Sequence, residues 1–245
     1  MIVPEYRWHV CAAGFRLKIF SNMTESTSTS EDTEKIPAGR ADRVLESLAH
    51  FFSFIFSPLL TPTYGIAVAF YTSYMAVLPV PTLIKVTAVV FAVTCLLPMI
   101  AIGILWKLGK VSDPGLNKQG ERTLPFVISG LSYALMTVYM FMLHAPLWLC
   151  MYAISGLLIV IVCCLINLRW KISIHLAALG GMLGLITHIL VGGVMIRPVL
   201  PWLLCGIIIA GAVGTARLIL RRHTLAQVGA GFALGFLITL LLTAL

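Results

Sequence analysis

Long apolar runs separated by short polar breaks fill the chain from about residue 60 to its end, and a polar segment precedes them. The runs cover roughly 60–79, 84–106, 124–143, 147–167, 173–195, 199–216 and 224–244. Each has about the length that a helix needs to cross a bilayer. The breaks carry helix punctuators: Pro79 and Pro81, Pro114 and Gly115, Pro146, and Pro198 and Pro201. The pattern predicts an all-α, polytopic transmembrane helix bundle of about six to seven spans, counted here as seven.

The N-terminal part reads differently. Residues 1–42 are polar and include the low-complexity run from Thr24 to Asp32, which predicts a disordered tail. No apolar core of a signal peptide precedes it, and either Met1 or Met23 serves as a start. Residues 43–58, beginning RVLESLAHFFSFIF and ending at Pro58, mix charges with an aromatic face. They predict an amphipathic helix lying on the membrane surface. Residues 59–245 are then the membrane domain.

Composition agrees. Hydrophobic residues make up 60% of the chain and charged residues only 11%, which excludes an ordinary soluble domain. The six cysteines fall mainly inside apolar runs at no metal-ligand spacing and read as packing residues. The formal net charge of +8 suits anionic headgroups or substrates. No nucleic-acid partner is expected. The oligomeric state is not encoded in any pattern.

The charge distribution is more specific. No acidic residue follows Glu121, yet seven Lys and Arg side chains do, beside His175 and His223. Cations at a membrane boundary need water, headgroups or a bound anion to satisfy them. Successive spans alternate in direction, so the breaks after the second, fourth and sixth spans share one face. Those breaks hold Lys118 and Arg122, then Arg169, Lys171, Ser173 and His175, then Arg217, Arg221, Arg222 and His223. Arg221 and Arg222 read as a headgroup-facing pair, and Arg169 and Lys171 as flanking cations. His144 and His188 are expected to serve packing or interfacial roles. Gly180-x3-Gly184 and Gly231-x3-Gly235 predict close helix packing.

The third cluster, Ala216-Arg217 followed by His223 and Gln227, resembles the third motif, S-R-x5-H-x3-D, of the type 2 phosphatidic acid phosphatase superfamily. Ser173-Ile174-His175 resembles the end of that family's P-S-G-H motif, and Lys118-x3-Arg122-x2-Pro125 loosely matches its K-x6-R-P motif. The resemblance covers about 105–240. It implies a membrane lipid phosphatase in which His223 attacks phosphorus and His175 acts as general acid and base. Arg217, Arg122, Lys118 and Ser173 would hold the phosphate. It implies no cofactor and no metal, a lipid phosphate or pyrophosphate as substrate among membrane lipids, and a bacterial inner membrane. Two departures stand out. Ala216 replaces the family's serine, and Gln227 replaces the aspartate that orients the nucleophile. With the loose first motif, they motivate an alternative, a catalytically inactive lipid-headgroup-binding protein of the same fold. A transporter is a third class, opposed by the scarcity of mid-membrane charge.

Overall fold

The computed structural model describes residues 40–110, 120 and 123–245. Arg43–Leu245 form one compact unit, and Met1–Asp42 belong to another. The expected disordered tail therefore lies outside the described residues, except where the first helix begins. Lys118 and Arg122 lie outside them as well.

Among the described residues the chain is all helical apart from one isolated antiparallel bridge. Helix α1 is Arg40–Ile55 and α2 is Thr61–Thr72. Then come α3, Val80–Lys107; α4, Thr123–Met142; α5, Leu147–Asn167; α6, Ile174–Val191; α7, Leu200–Ile219; and α8, Leu225–Thr243. These last six are long and apolar enough to cross a membrane, as expected of an integral membrane protein.

The run at 60–79 is not a seventh full-length span. Helix α2 has 12 residues, and a short 3-10 turn at Tyr74–Val77 follows it. The break is tertiary in origin. Ser73 is extended and bridges to Met195. The Tyr74 N–H donates to the Val194 carbonyl at 3.0 Å, and the Ile196 N–H donates to the Thr72 carbonyl at 2.9 Å. Backbone groups that would have continued the helix are satisfied by the loop after α6 instead. The miscount precedes every cation cluster, so it leaves the alternation between the later breaks intact.

Helix α3 starts at Val80, with Pro81 in the first turn where no N–H is needed. It contains a π turn at Ala92–Leu96, which ends one residue short of Pro98. Proline has no N–H to donate, and the widened turn takes up the altered register. The Thr94 hydroxyl sits in that turn and bonds the Val90 carbonyl at 2.9 Å.

Helices α6 and α8 run parallel and form the most extensive contact in the bundle. A Cβ added at Gly235 would run into the Ala177 carbonyl, and one at Gly180 into the Phe232 carbonyl. The two small-x3-small patterns thus face each other, and glycine lets the backbones touch. Both helices begin on the same side. That fact positions the site.

Candidate functional site

The segment between α7 and α8 is built from a helix stop followed at once by a helix start. Helix α7 ends with the Arg222 N–H donating to the Arg217 carbonyl at 3.1 Å and the Arg221 N–H to the Leu218 carbonyl at 2.9 Å. Arg221 has φ +50°, the left-handed conformation this cap requires. Thr224 then caps α8. Its hydroxyl accepts from the Gln227 N–H at 3.4 Å, and the Gln227 side-chain oxygen accepts from the Thr224 N–H at 3.2 Å. This reciprocal capping box satisfies two otherwise orphaned donors. The five residues between Arg217 and His223 are what one cap and one turn occupy.

His223 lies between the two caps. Its Nδ1 is 3.2 Å from Gln227 Oε1 and 3.3 Å from the Lys171 carbonyl oxygen. The backbone N–H of Thr224 fixes which end of the Gln227 amide is oxygen. Both neighbours of Nδ1 are therefore acceptors, so Nδ1 carries the proton. In the neutral ring the lone pair is then on Nε2.

His175 lies in the first turn of α6, half buried. Its Nε2 is 3.2 Å from the carbonyl oxygen of Ser53, near the end of α1. A carbonyl can only accept, so Nε2 is the donor and Nδ1 bears the lone pair of the neutral ring.

His175, Arg217 and His223 line the polar end of one cavity of about 650 Å³. Arg217 is only 8% exposed and His223 7%. The first turns of α6 and α8 both open on this side and add two positive helix ends to the arginine. Such an arrangement can hold an anion with a nucleophile beside it.

The other expected residues are placed differently. Ser173 is fully buried and its N–H donates to the Gln227 carbonyl at 3.3 Å, which ties α6 to α8. It is not among the cavity-lining residues. Gln227 does contact His223, but the same oxygen also serves the helix cap. Lys171 contributes its backbone carbonyl. Arg169 and Arg221 are exposed, whereas Lys171 and Arg222 are half-buried. His144, at φ +50°, closes the end of α4, and His188 packs against the Trp148 ring at 5.9 Å.

Beyond the phosphate-motif residues, three groups contribute to the site. Thr224-x2-Gln227 carries the capping-box signature in plain view. The carbonyls of Ser53 and Lys171 leave no side-chain signal, because every residue type has one.

Comparison with protein-family models, curated proteins and solved structures finds no match to this chain.

Proposed function

We propose that the chain is an integral-membrane lipid phosphatase with a core like that of the type 2 phosphatidic acid phosphatases. It hydrolyses the phosphate or pyrophosphate end of a lipid in a bacterial inner membrane. The observation that carries this reading is the meeting of Arg217, His175 and His223 at one cavity end, with the lone pair of His223 on Nε2.

In the proposed reaction Nε2 of His223 attacks phosphorus, and the bond from phosphorus to the lipid oxygen breaks. His175, protonated at the start, gives its Nδ1 proton to that oxygen while its Nε2–H stays on the Ser53 carbonyl. Water then attacks the phosphohistidine. His175 takes back a proton, phosphate leaves, and both rings return to their starting forms. Arg217 and the two helix ends stabilise the charge that builds on the equatorial oxygens. Arg122 and Lys118 would complete the phosphate cradle. Helix α1 exposes Val44, Leu48, Phe51 and Phe54, a face suited to lying among headgroups beside the site.

A second reading, a headgroup binder without turnover, is favoured by one observation. The Gln227 oxygen serves both the cap and His223, and an amide adds no charge to stabilise an imidazolium. One experiment separates the two. Phosphate release is measured for detergent-purified wild type and His223→Ala, without divalent metal, on undecaprenyl pyrophosphate, phosphatidylglycerol phosphate, lipid A and the single-chain hexadecyl phosphate. Release by wild type that is lost in the variant supports the phosphatase. Silence from both proteins, with headgroup binding retained, supports the binder.

A further inference from the structure

The cavity does not stop at the phosphate end. It is lined on α8 by Thr239, on α5 by Tyr152, on α4 by Met136 and on α3 by Phe91. At a rise of 1.5 Å per residue, Thr239 lies about 21 Å along α8 from its first residue, and Tyr152 about 22 Å along α5 from its last. Met136 lies about 20 Å along α4 from Thr123, and Phe91 about 24 Å along α3 from Lys107. Four helices thus put the floor at one depth, some two-thirds of the way across a hydrocarbon core of about 30 Å.

Polarity changes along that depth. The cationic and imidazole groups are confined to the upper end. At the floor the Thr239 hydroxyl donates to Ser155 Oγ at 3.0 Å, and the Ser155 hydroxyl donates to the Tyr152 carbonyl at 2.7 Å. These hydroxyls are satisfied within the protein, so the end of an apolar chain meets no competing demand from them.

We propose that this cavity takes up the tail of the ligand inside the bundle, and that the ligand is a single-chain lipid phosphate with a tail of about sixteen carbons. The inference rests on the phosphate-handling reading of the His223 end. Length and volume lead to it separately. Carbon–carbon bonds of about 1.5 Å advance about 1.3 Å per carbon in an extended zigzag, so a shaft of about 21 Å holds about sixteen. A dry cavity of about 150 Å³ takes a six-carbon ring, so the volume here takes on the order of twenty-six carbon-sized atoms. One such tail with its phosphate nearly fills that space, and a second tail of equal length does not fit. Moving a tail from lipid into protein gains little hydrophobic free energy, so selection acts through fit and not through greasiness.

The test is photolabelling of the full chain in detergent with alkyl phosphonates, which cannot be hydrolysed, bearing a diazirine on the terminal carbon. The hexadecyl probe is expected to label Met136, Tyr152 or Thr239. Ser129 lines the cavity only about 9 Å along α4 from Thr123. Ser129→Leu should therefore block the shaft and cut floor labelling about tenfold or more, the size of an ordinary overpacking penalty. Ser129→Ala should leave floor labelling in place, and thermal melting of all three proteins checks that they fold. Hexadecyl labelling confined to lipid-facing positions such as Leu131 or Leu135 would overturn the inference, as would equal floor labelling by a two-chain phosphonate. Labelling at the floor without phosphate release would retain the tail site and reject the phosphatase. Release without floor labelling would do the reverse.

Discussion

Gln227 carries two duties on one oxygen, and the cost of losing it can be divided accordingly. Gln227→Ala removes the capping acceptor and the group that orients His223. The cap is worth about 1 kcal/mol. Loss of an orienting partner behind a reactive imidazole is worth about 10- to 100-fold in rate, by analogy with groups that orient metal-bound histidines. Gln227→Glu keeps the cap geometry, places a negative charge at a helix start and supports the imidazolium. On the proposed phosphatase reading, phosphate release at or above the wild-type rate in Gln227→Glu, beside a loss in Gln227→Ala, is the expected pair. Equal rates in all three proteins would show that His223 needs no orienting partner. His223→Ala should abolish turnover without a comparable loss in melting temperature, because its ring bonds acceptors that Thr224 and solvent can also serve.

Element by element, stability concentrates where α6 and α8 touch backbone to backbone. Gly235→Ala places a methyl group against the Ala177 carbonyl, which no rotamer change can relieve. A loss of about 3 kcal/mol or more is expected, read as a large drop in detergent melting temperature. The site should suffer with it, since His175 and His223 sit at the starts of those two helices. Arg221 offers the opposite case. Its left-handed backbone costs about 1 kcal/mol in a residue with a side chain, and it is exposed. Arg221→Gly should raise stability by about 0.5 kcal/mol and leave turnover alone. A fall in melting temperature would mean that the side chain does more than close the helix.

Across the whole molecule, the two faces of the bundle differ in chemistry. One gathers His175, Arg217 and His223 around the cavity mouth. The other carries the Tyr71–Trp202 and Tyr74–Trp148 ring pairs, with Arg197 over the Tyr71 ring at 4.5 Å. Such aromatic groups sit where hydrocarbon meets headgroups. The arrangement predicts sidedness. In a chain whose native cysteines are replaced, Arg169→Cys and Arg221→Cys should react with an impermeant maleimide from one side of the membrane. Arg197→Cys should react from the other. Labelling of the first two from opposite sides would overturn the arrangement of spans.

Most of this membrane framework is legible without coordinates, for a local reason. Span length, apolar content, capping residues and small-x3-small spacing are properties of neighbours in the chain, so the runs at 147–167 and 224–244 match their helices closely. The Arg217-x5-His223 spacing belongs to the same class, because one cap followed by another fills it. What only the tertiary structure decided depends on partners far apart in sequence. The apolar run at 60–79 breaks because Thr72 and Tyr74 exchange backbone hydrogen bonds with the loop after α6. The tautomer of His223 follows from a carbonyl 52 residues away, and the orientation of His175 from one 122 residues away. Carbonyls are the same in every residue, so no sequence pattern announces them. The depth of the cavity likewise exists only where α3, α4, α5 and α8 stand side by side.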